Sequence, residues 1–342
     1  MTRSKLAFIV IVFVACAAMA FSAHAKRSGQ PFNIYMAVWR GCEDACRGFQ
    51  DYFREEGIEV NFIIRDANRD KTRLPDFVRE AKELEVDLVV TWGTSVTVGM
   101  IGSLADSDPD KHIADIPVVF MIVADPIGAG IIETYTSSGR KNITGTRNRV
   151  PEEVQMKAIR AYRYFKRLGI IYNTNELNSV LNVKKIRKLA KKMRFNLFER
   201  TLELNEGGKP ILESVSQKIK ELKDRDVEFI YVGSSSFLMR HRDYLTKSAV
   251  AQGIAIVAAY EEMARKSNAL LAVASRYYSV GKLAGFQAKN ILIDQITPID
   301  LPVLSLSRYS YVINMEVARK LKLYPPIKVL RYAEVVHGKS PQ

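Results

Sequence analysis

From Phe32 onward, short apolar runs alternate with amphipathic stretches, and this rhythm constrains the fold more than any other feature of the sequence. Parallel strands linked by helices produce such a pattern. The spacing predicts strands at 33–39, 59–65, 87–91 and 117–123 and near Ile143, with helices such as 46–56 and 74–84 between them. A second set comes after these: strands at 167–172, 195–202, 227–232 and 254–258, and helices at 151–164, 176–192, 210–223 and 237–252. The stretches 103–116 and 134–142 read as surface loops. Two consecutive open α/β sheets of similar size imply two lobes with a crevice between them. A chain of 342 residues also exceeds the ~250–300 residues at which single cores stop growing.

The first 25 residues stand outside this rhythm. Arg3 and Lys5 precede an uncharged apolar run from Leu6 to Phe21, and Ala23-His24-Ala25 precedes Lys26 and Arg27. This is the charged, apolar and small-x-small order of a secretory signal peptide, and cleavage is expected after Ala25. A permanent anchor is the competing reading, because the run falls just short of the ~17–25 residues a spanning helix needs. Lipidation at Cys16 is disfavoured by Phe13 before it and by the apolar residues after it. The mature chain is therefore expected outside the cytoplasm, in the periplasm.

The formal charge of +14 loses two units with Arg3 and Lys5. Such a balance suits nucleic acid, an anionic surface or simple solubility, and export excludes nucleic acid. The densest basic run, residues 184–192, carries Ile186 and Leu189 at helical spacing with Met193. It reads as the wet face of an ordinary amphipathic helix. Cys42 and Cys46 lie four apart, just inside a predicted helix. Two cysteines and scattered histidines are too few for a zinc site, so no metal and no cofactor is expected. A disulfide suits an oxidising compartment, but two helical positions four apart would strain it. The spacing also departs from a Cys-x-x-Cys redox pair.

In open α/β sheets ligands sit beyond the carboxyl ends of the strands, so the residues after each strand are the candidates. Trp39 and Arg40 follow the first and suit an aromatic or anionic ligand. Gly93, Thr94 and Ser95 follow the third and open a helix, whose N-terminus favours an anion. Asp125, held extended by Pro126, follows the fourth; capping is its competing role. The second half offers Asn173, then Ser234 and Ser235 after Gly233, then Tyr260. No Ser-His-Asp order and no phosphate-loop motif is present, which favours a binder over an enzyme.

Linked stretches then carry a resemblance: Thr91-Trp92-Gly93-Thr94-Ser95, residues 120–126 (Phe-Met-Ile-Val-Ala-Asp-Pro), Asn142-Ile143-Thr144-Gly145, residues 168–173 (Leu-Gly-Ile-Ile-Tyr-Asn), Tyr277-Tyr278-Ser279-Val280-Gly281 and Tyr311-Val312-Ile313-Asn314. In this order the chain resembles ABC-transporter substrate-binding proteins of the tryptophan/tyrosine type, over about residues 33–327. The resemblance implies the type I periplasmic-binding-protein fold: two doubly wound parallel-sheet lobes joined by three crossings, near Arg149, Ala269 and Leu301. Lobe one would be 30–148 plus 268–297, and lobe two 149–267 plus 298–335. It implies a helix start at Thr94-Ser95 that binds a ligand carboxylate, and Asp125 and Tyr277 at the crevice. Family members often carry Asp before the Tyr-Tyr stretch, where Arg276 stands here. With Arg40 this would put two guanidiniums near the crevice and favour a ligand more negative than a neutral amino acid, or one without a free amine. The implied role is capture of a small carboxylate-bearing ligand for an ABC permease and its ATPase. A partner of a membrane signalling receptor and a periplasmic redox enzyme are the alternatives.

Overall fold

The computed structural model describes residues 30–337; the expected signal peptide and Cys16 lie outside them. Thirteen strands fall into two sheets. The first holds β1 (Phe32–Val38), β2 (Val60–Asp66), β3 (Leu88–Trp92), β4 (Val118–Val123), β5 (Ile143–Arg147) and β11 (Leu304–Ser305). The second holds β6 (Arg167–Tyr172), β7 (Asn196–Thr201), β8 (Phe229–Val232), β9 (Ala255–Ala258), β10 (Leu271–Ala274), β12 (Ser310–Asn314) and β13 (Glu334–Val336). The core order is β2-β1-β3-β4-β5 in one and β7-β6-β8-β9-β10 in the other, so each strand has a counterpart in the other lobe. All pairings are parallel except β10 with β12.

Both faces of each sheet are covered, as parallel sheets require. Tyr35 and Ala37 of β1 pack into one apolar cluster, while Ile34, Met36 and Val38 pack into the cluster on the opposite face. Leu168 and Ile170 of β6 are likewise divided from Ile171. The buried Ile, Met, Val and Leu side chains contribute about 1.5–3 kcal/mol each, which fixes the register because a one-residue slip would turn the whole set to the opposite face.

The helices are α1 (Asp44–Glu55), α2 (Leu74–Glu83), α3 (Thr94–Ile101), α4 (Glu152–Tyr162), α5 (Leu177–Met193), α6 (Ser214–Lys223), α7 (Ser236–Arg240), α8 (Arg242–Ala251), α9 (Glu261–Arg265), α10 (Tyr277–Leu292), α11 (Met315–Lys320) and α12 (Ile327–Leu330). The single helix expected over 237–252 is two, parted at His241; no glycine or proline marks the break. α10 follows β10 of the second sheet but packs on α1 of the first lobe. The approach is close: a Cβ on Gly48 would stand 2.1 Å from the Tyr278 carbonyl oxygen, and one on Gly281 would stand 1.9 Å from that of Ala45. Only glycine permits that backbone contact.

Two boundaries differ from expectation. The chain does not leave the second sheet near Ala269: β10 pairs with β9 and β12, and the passage to α10 comes at Ser275–Arg276. Nor does it return near Leu301, because β11 still pairs with β5 in the first sheet, and the passage lies between β11 and β12. Leu271–Ala274 is buried on both faces, so periodicity gives no hint of which sheet it joins; only its neighbours decide. Cys42 precedes α1 rather than lying within it, and it forms a disulfide with Cys46. Among the described residues no helix is long and apolar enough to cross a membrane.

Candidate functional site

The strand ends of both sheets face one another across a crevice with an inner and an outer chamber. The inner chamber is lined by Trp39 and Arg40 after β1, Gly93, Thr94 and Ser95 after β3, and Ser234 after β8. Tyr260 after β9 and Tyr277 at the start of α10 complete the set. Eight of the twelve residues singled out from the sequence thus surround one cavity. It measures ≈ 40 Å³, against ≈ 200 Å³ for the outer chamber, with which it shares Arg40, Tyr260 and Tyr277.

On the lobe-one side the wall is a strained turn. β4 breaks register between Phe120 and Val123, and Ile122, which lines the cavity, has a φ of 57°. A β-branched residue in that region is a real outlier. Next to it, the amide of Gly93 donates to the Met121 carbonyl at 2.9 Å. Gly93 itself has a φ of 90°, and no side chain among the described residues caps α3. The first-turn amides of α3 therefore lie uncapped at the cavity, with the positive end of the helix dipole behind them.

Arg40 lies 4.9 Å above the Trp92 ring and holds Glu43 with both ends of its guanidinium, at 2.7 and 3.1 Å. Burial acts against its charge, but Glu43 together with the Tyr277 and Tyr260 phenols raises its pKa overall. Trp92, Tyr277 and Tyr260 form a chain of edge-on ring contacts, each 6.4 Å between centroids. Burial raises both phenols, so they stay neutral donors.

Arg149 lines the chamber although the sequence does not announce it: beyond β5 and two residues before Pro151, it reads only as a crossing point between lobes. Asn148 and Arg149 line the inner chamber and are each 6% exposed. The Arg149 guanidinium donates to Ser234 Oγ and, at 3.3 Å, to Glu152 and to the Tyr231 hydroxyl. Burial pushes the Tyr231 hydroxyl up to about 12, so it too remains protonated. Among the described residues, three buried polar atoms of the lining have no protein partner: Trp92 Nε1, Asn148 Oδ1 and Arg149 Nε. Such groups are costly unless something else satisfies them.

Four residues named from the sequence are placed elsewhere. Asp125 does not line the chamber; it forms an ion pair with Lys185 of α5 at 2.8 Å, across the two lobes, and accepts from the Gly128 amide. Asn173 is buried in its own turn, accepting from the Asn175 amide at 3.0 Å. Ser235 caps α7 through the Leu238 amide, and its own amide donates to the Tyr260 hydroxyl. Arg276 points outward, with its side chain 57% exposed and paired with Glu334 at 3.1 Å. The expected pair of guanidiniums at the crevice is Arg40 and Arg149, not Arg40 and Arg276. The disulfide lies in the wall of the outer chamber, which Cys42 helps to line. Among the described residues no group of three or more His, Cys, Asp or Glu is placed to hold a metal ion.

Relatives share this architecture. A tyrosine-binding protein of Clostridioides difficile is 26% identical over 210 residues, 61% of this chain and 58% of that protein. The alignment thus spans less than two thirds of that relative. A conserved domain protein of Vibrio cholerae superposes with a TM-score of 0.76 at 20% identity, covering 91% of this chain and all of that one. A Streptococcus pneumoniae ABC domain in complex with L-Trp gives 0.76 at 22% identity, covering 90% and 100%. Both solved structures show the same two-lobed α/β fold. A family model described as ABC transporter substrate binding protein matches residues 39–337, and the chain belongs to that family.

Proposed function

We propose that this protein captures a small carboxylate-bearing ligand between its lobes, outside the cytoplasm, and presents the closed form to an ABC permease and its ATPase. One observation carries the reading: a single chamber joins the uncapped N-terminus of α3 to Arg149 and to three buried polar atoms without protein partners. The α3 amides and the guanidinium converge from opposite lobes, so a carboxylate between them bridges the two. Ligand affinity for the closed form then shifts the population toward it. The names of two relatives, recording tyrosine and L-Trp, support a ligand of amino-acid size. The lobes divide at 148–151, 275–276 and 306–309, where the sheets hand the chain over, and Asp125–Lys185 clasps them at the rim. The amino-terminal 25 residues direct export.

A thermal-shift screen of the mature chain against aromatic, aliphatic and hydroxy acids, amines and nucleosides tests this. A carboxylate at ~100 times its dissociation constant stabilises the fold by about 2.7 kcal/mol, and Arg149→Ala removes the shift. Stabilisation by amines or nucleosides alone contradicts the reading.

A further inference from the structure

We propose that the ligand is an aromatic carboxylate without an α-ammonium group, a 2-hydroxy or 2-oxo acid rather than the amino acid itself. This rests on the carboxylate-binding role above and narrows it. Among the described residues, the inner chamber is lined by two arginines and by no aspartate, glutamate, lysine or histidine. Each carboxylate behind its wall is already committed. Glu43 holds Arg40. Glu152 accepts from Arg149 and from Asn182 at 3.1 Å. Glu176 accepts from the amides of Ser236 and Phe237 at 3.0 and 3.1 Å. The carboxylates of the outer chamber are paired too: Asp44 with Arg47, Glu261 with Arg265 and Glu262 with Lys266. An ammonium entering here would meet two guanidiniums, each paired with a glutamate, and no carboxylate in the lining, the nearest ones being held by arginines or, for Glu176, by two backbone amides.

The hydrogen-bond inventory gives the same answer independently. The unpartnered buried groups of the inner chamber are two donors, Trp92 Nε1–H and Arg149 Nε–H, and one acceptor, Asn148 Oδ1. The uncapped α3 amides add further donors. A chamber rich in donors is filled by a ligand rich in acceptors. An ammonium brings three donors and no acceptor, whereas a hydroxyl donates once and accepts, and a carbonyl oxygen only accepts. A hydroxyl at the 2-position supplies Asn148 with its donor while accepting from a neighbouring N–H. Trp39 and Trp92 line the inner chamber, and Tyr260 and Tyr277, which it shares with the larger outer chamber, give an aromatic body room to extend outward.

Calorimetric titration of the wild-type protein with matched pairs tests the inference: L-tryptophan against indole-3-lactate and indole-3-pyruvate, and L-tyrosine against 4-hydroxyphenyllactate. The 2-hydroxy or 2-oxo member of a pair should bind at least ~10-fold tighter, which is ~1.4 kcal/mol. Equal or tighter binding of the amino acid by the wild type overturns this inference and leaves the carboxylate-binding role standing. If no member of any pair binds at millimolar concentration, the aromatic-acid assignment falls, and the broader screen decides the role.

Discussion

β3 and β8 hold the same place in their sheets, and each is followed by a glycine, hydroxyl residues and a helix. Gly93-Thr94-Ser95 opens α3, and Gly233-Ser234-Ser235-Ser236 opens α7. The two turns are satisfied in opposite ways. In lobe two, Ser235 caps the helix and Glu176 accepts from the Ser236 and Phe237 amides. In lobe one no side chain caps α3. Glutamate is available to both: Glu176 precedes α5 after β6, and Glu43 precedes α1 after the matching strand β1. The difference is Arg40, which turns Glu43 onto itself, whereas Asn173-Thr174-Asn175 offers Glu176 no cation. The proposed anion site lies where the fold's own carboxylate has been drawn away.

The strongest way to break this asymmetry is to fill the open turn from within. Ser95→Asp places a carboxylate in the first turn of α3. We expect ligand affinity to fall ~100-fold, about 2.8 kcal/mol, with the melting temperature unchanged or raised, because an acid there suits the dipole by ~0.3–1 kcal/mol. Titration calorimetry beside a melting curve separates the two effects.

The converse change empties the filled turn. Glu176→Ala leaves the Ser236 and Phe237 amides without their acceptor, and unsatisfied buried donors cost ~1–3 kcal/mol. Denaturant unfolding should show that loss, and added sulfate should restore part of it in the variant but not in the wild type.

The smallest effect is in pH. Burial raises the Glu176 carboxyl above its ordinary value, ahead of the opposing hydrogen bonds. Its contribution to stability is then fully present below the unfolded carboxyl value of about 4.3 and is lost as pH rises through the folded value. Wild type should gain stability over Glu176→Gln as pH falls from 7 toward 4.5. Parallel curves would show that the carboxylate in the lobe-two turn feels no burial.

The alternation of apolar runs is enough to place the strands through β9; the stretch 167–172 coincides with β6. Local pattern does not say which sheet β10 joins: β8 and β9 are equally short and buried on both faces, and only pairing with β9 and β12 puts β10 in the second sheet. The site is legible where it follows from strand ends, as at Trp39 and Thr94, and illegible where identity depends on partners. Asn173 and Ser235 have the composition of binding residues but spend it on their own turns. Arg276 has the charge, yet Glu334, 58 residues further along, claims it from outside the crevice. Arg149 escapes a reading of the sequence because a crossing segment gives no sign of which chamber it enters.

The most direct test of the account is a crystal structure of the mature protein with a carboxylate ligand bound. The ligand carboxylate is expected on the first-turn amides of α3, with Arg149 within hydrogen-bond reach and Glu176 still on Ser236 and Phe237. A carboxylate seated on the Ser236–Phe237 turn with Glu176 displaced, or one bound outside the crevice, would contradict it.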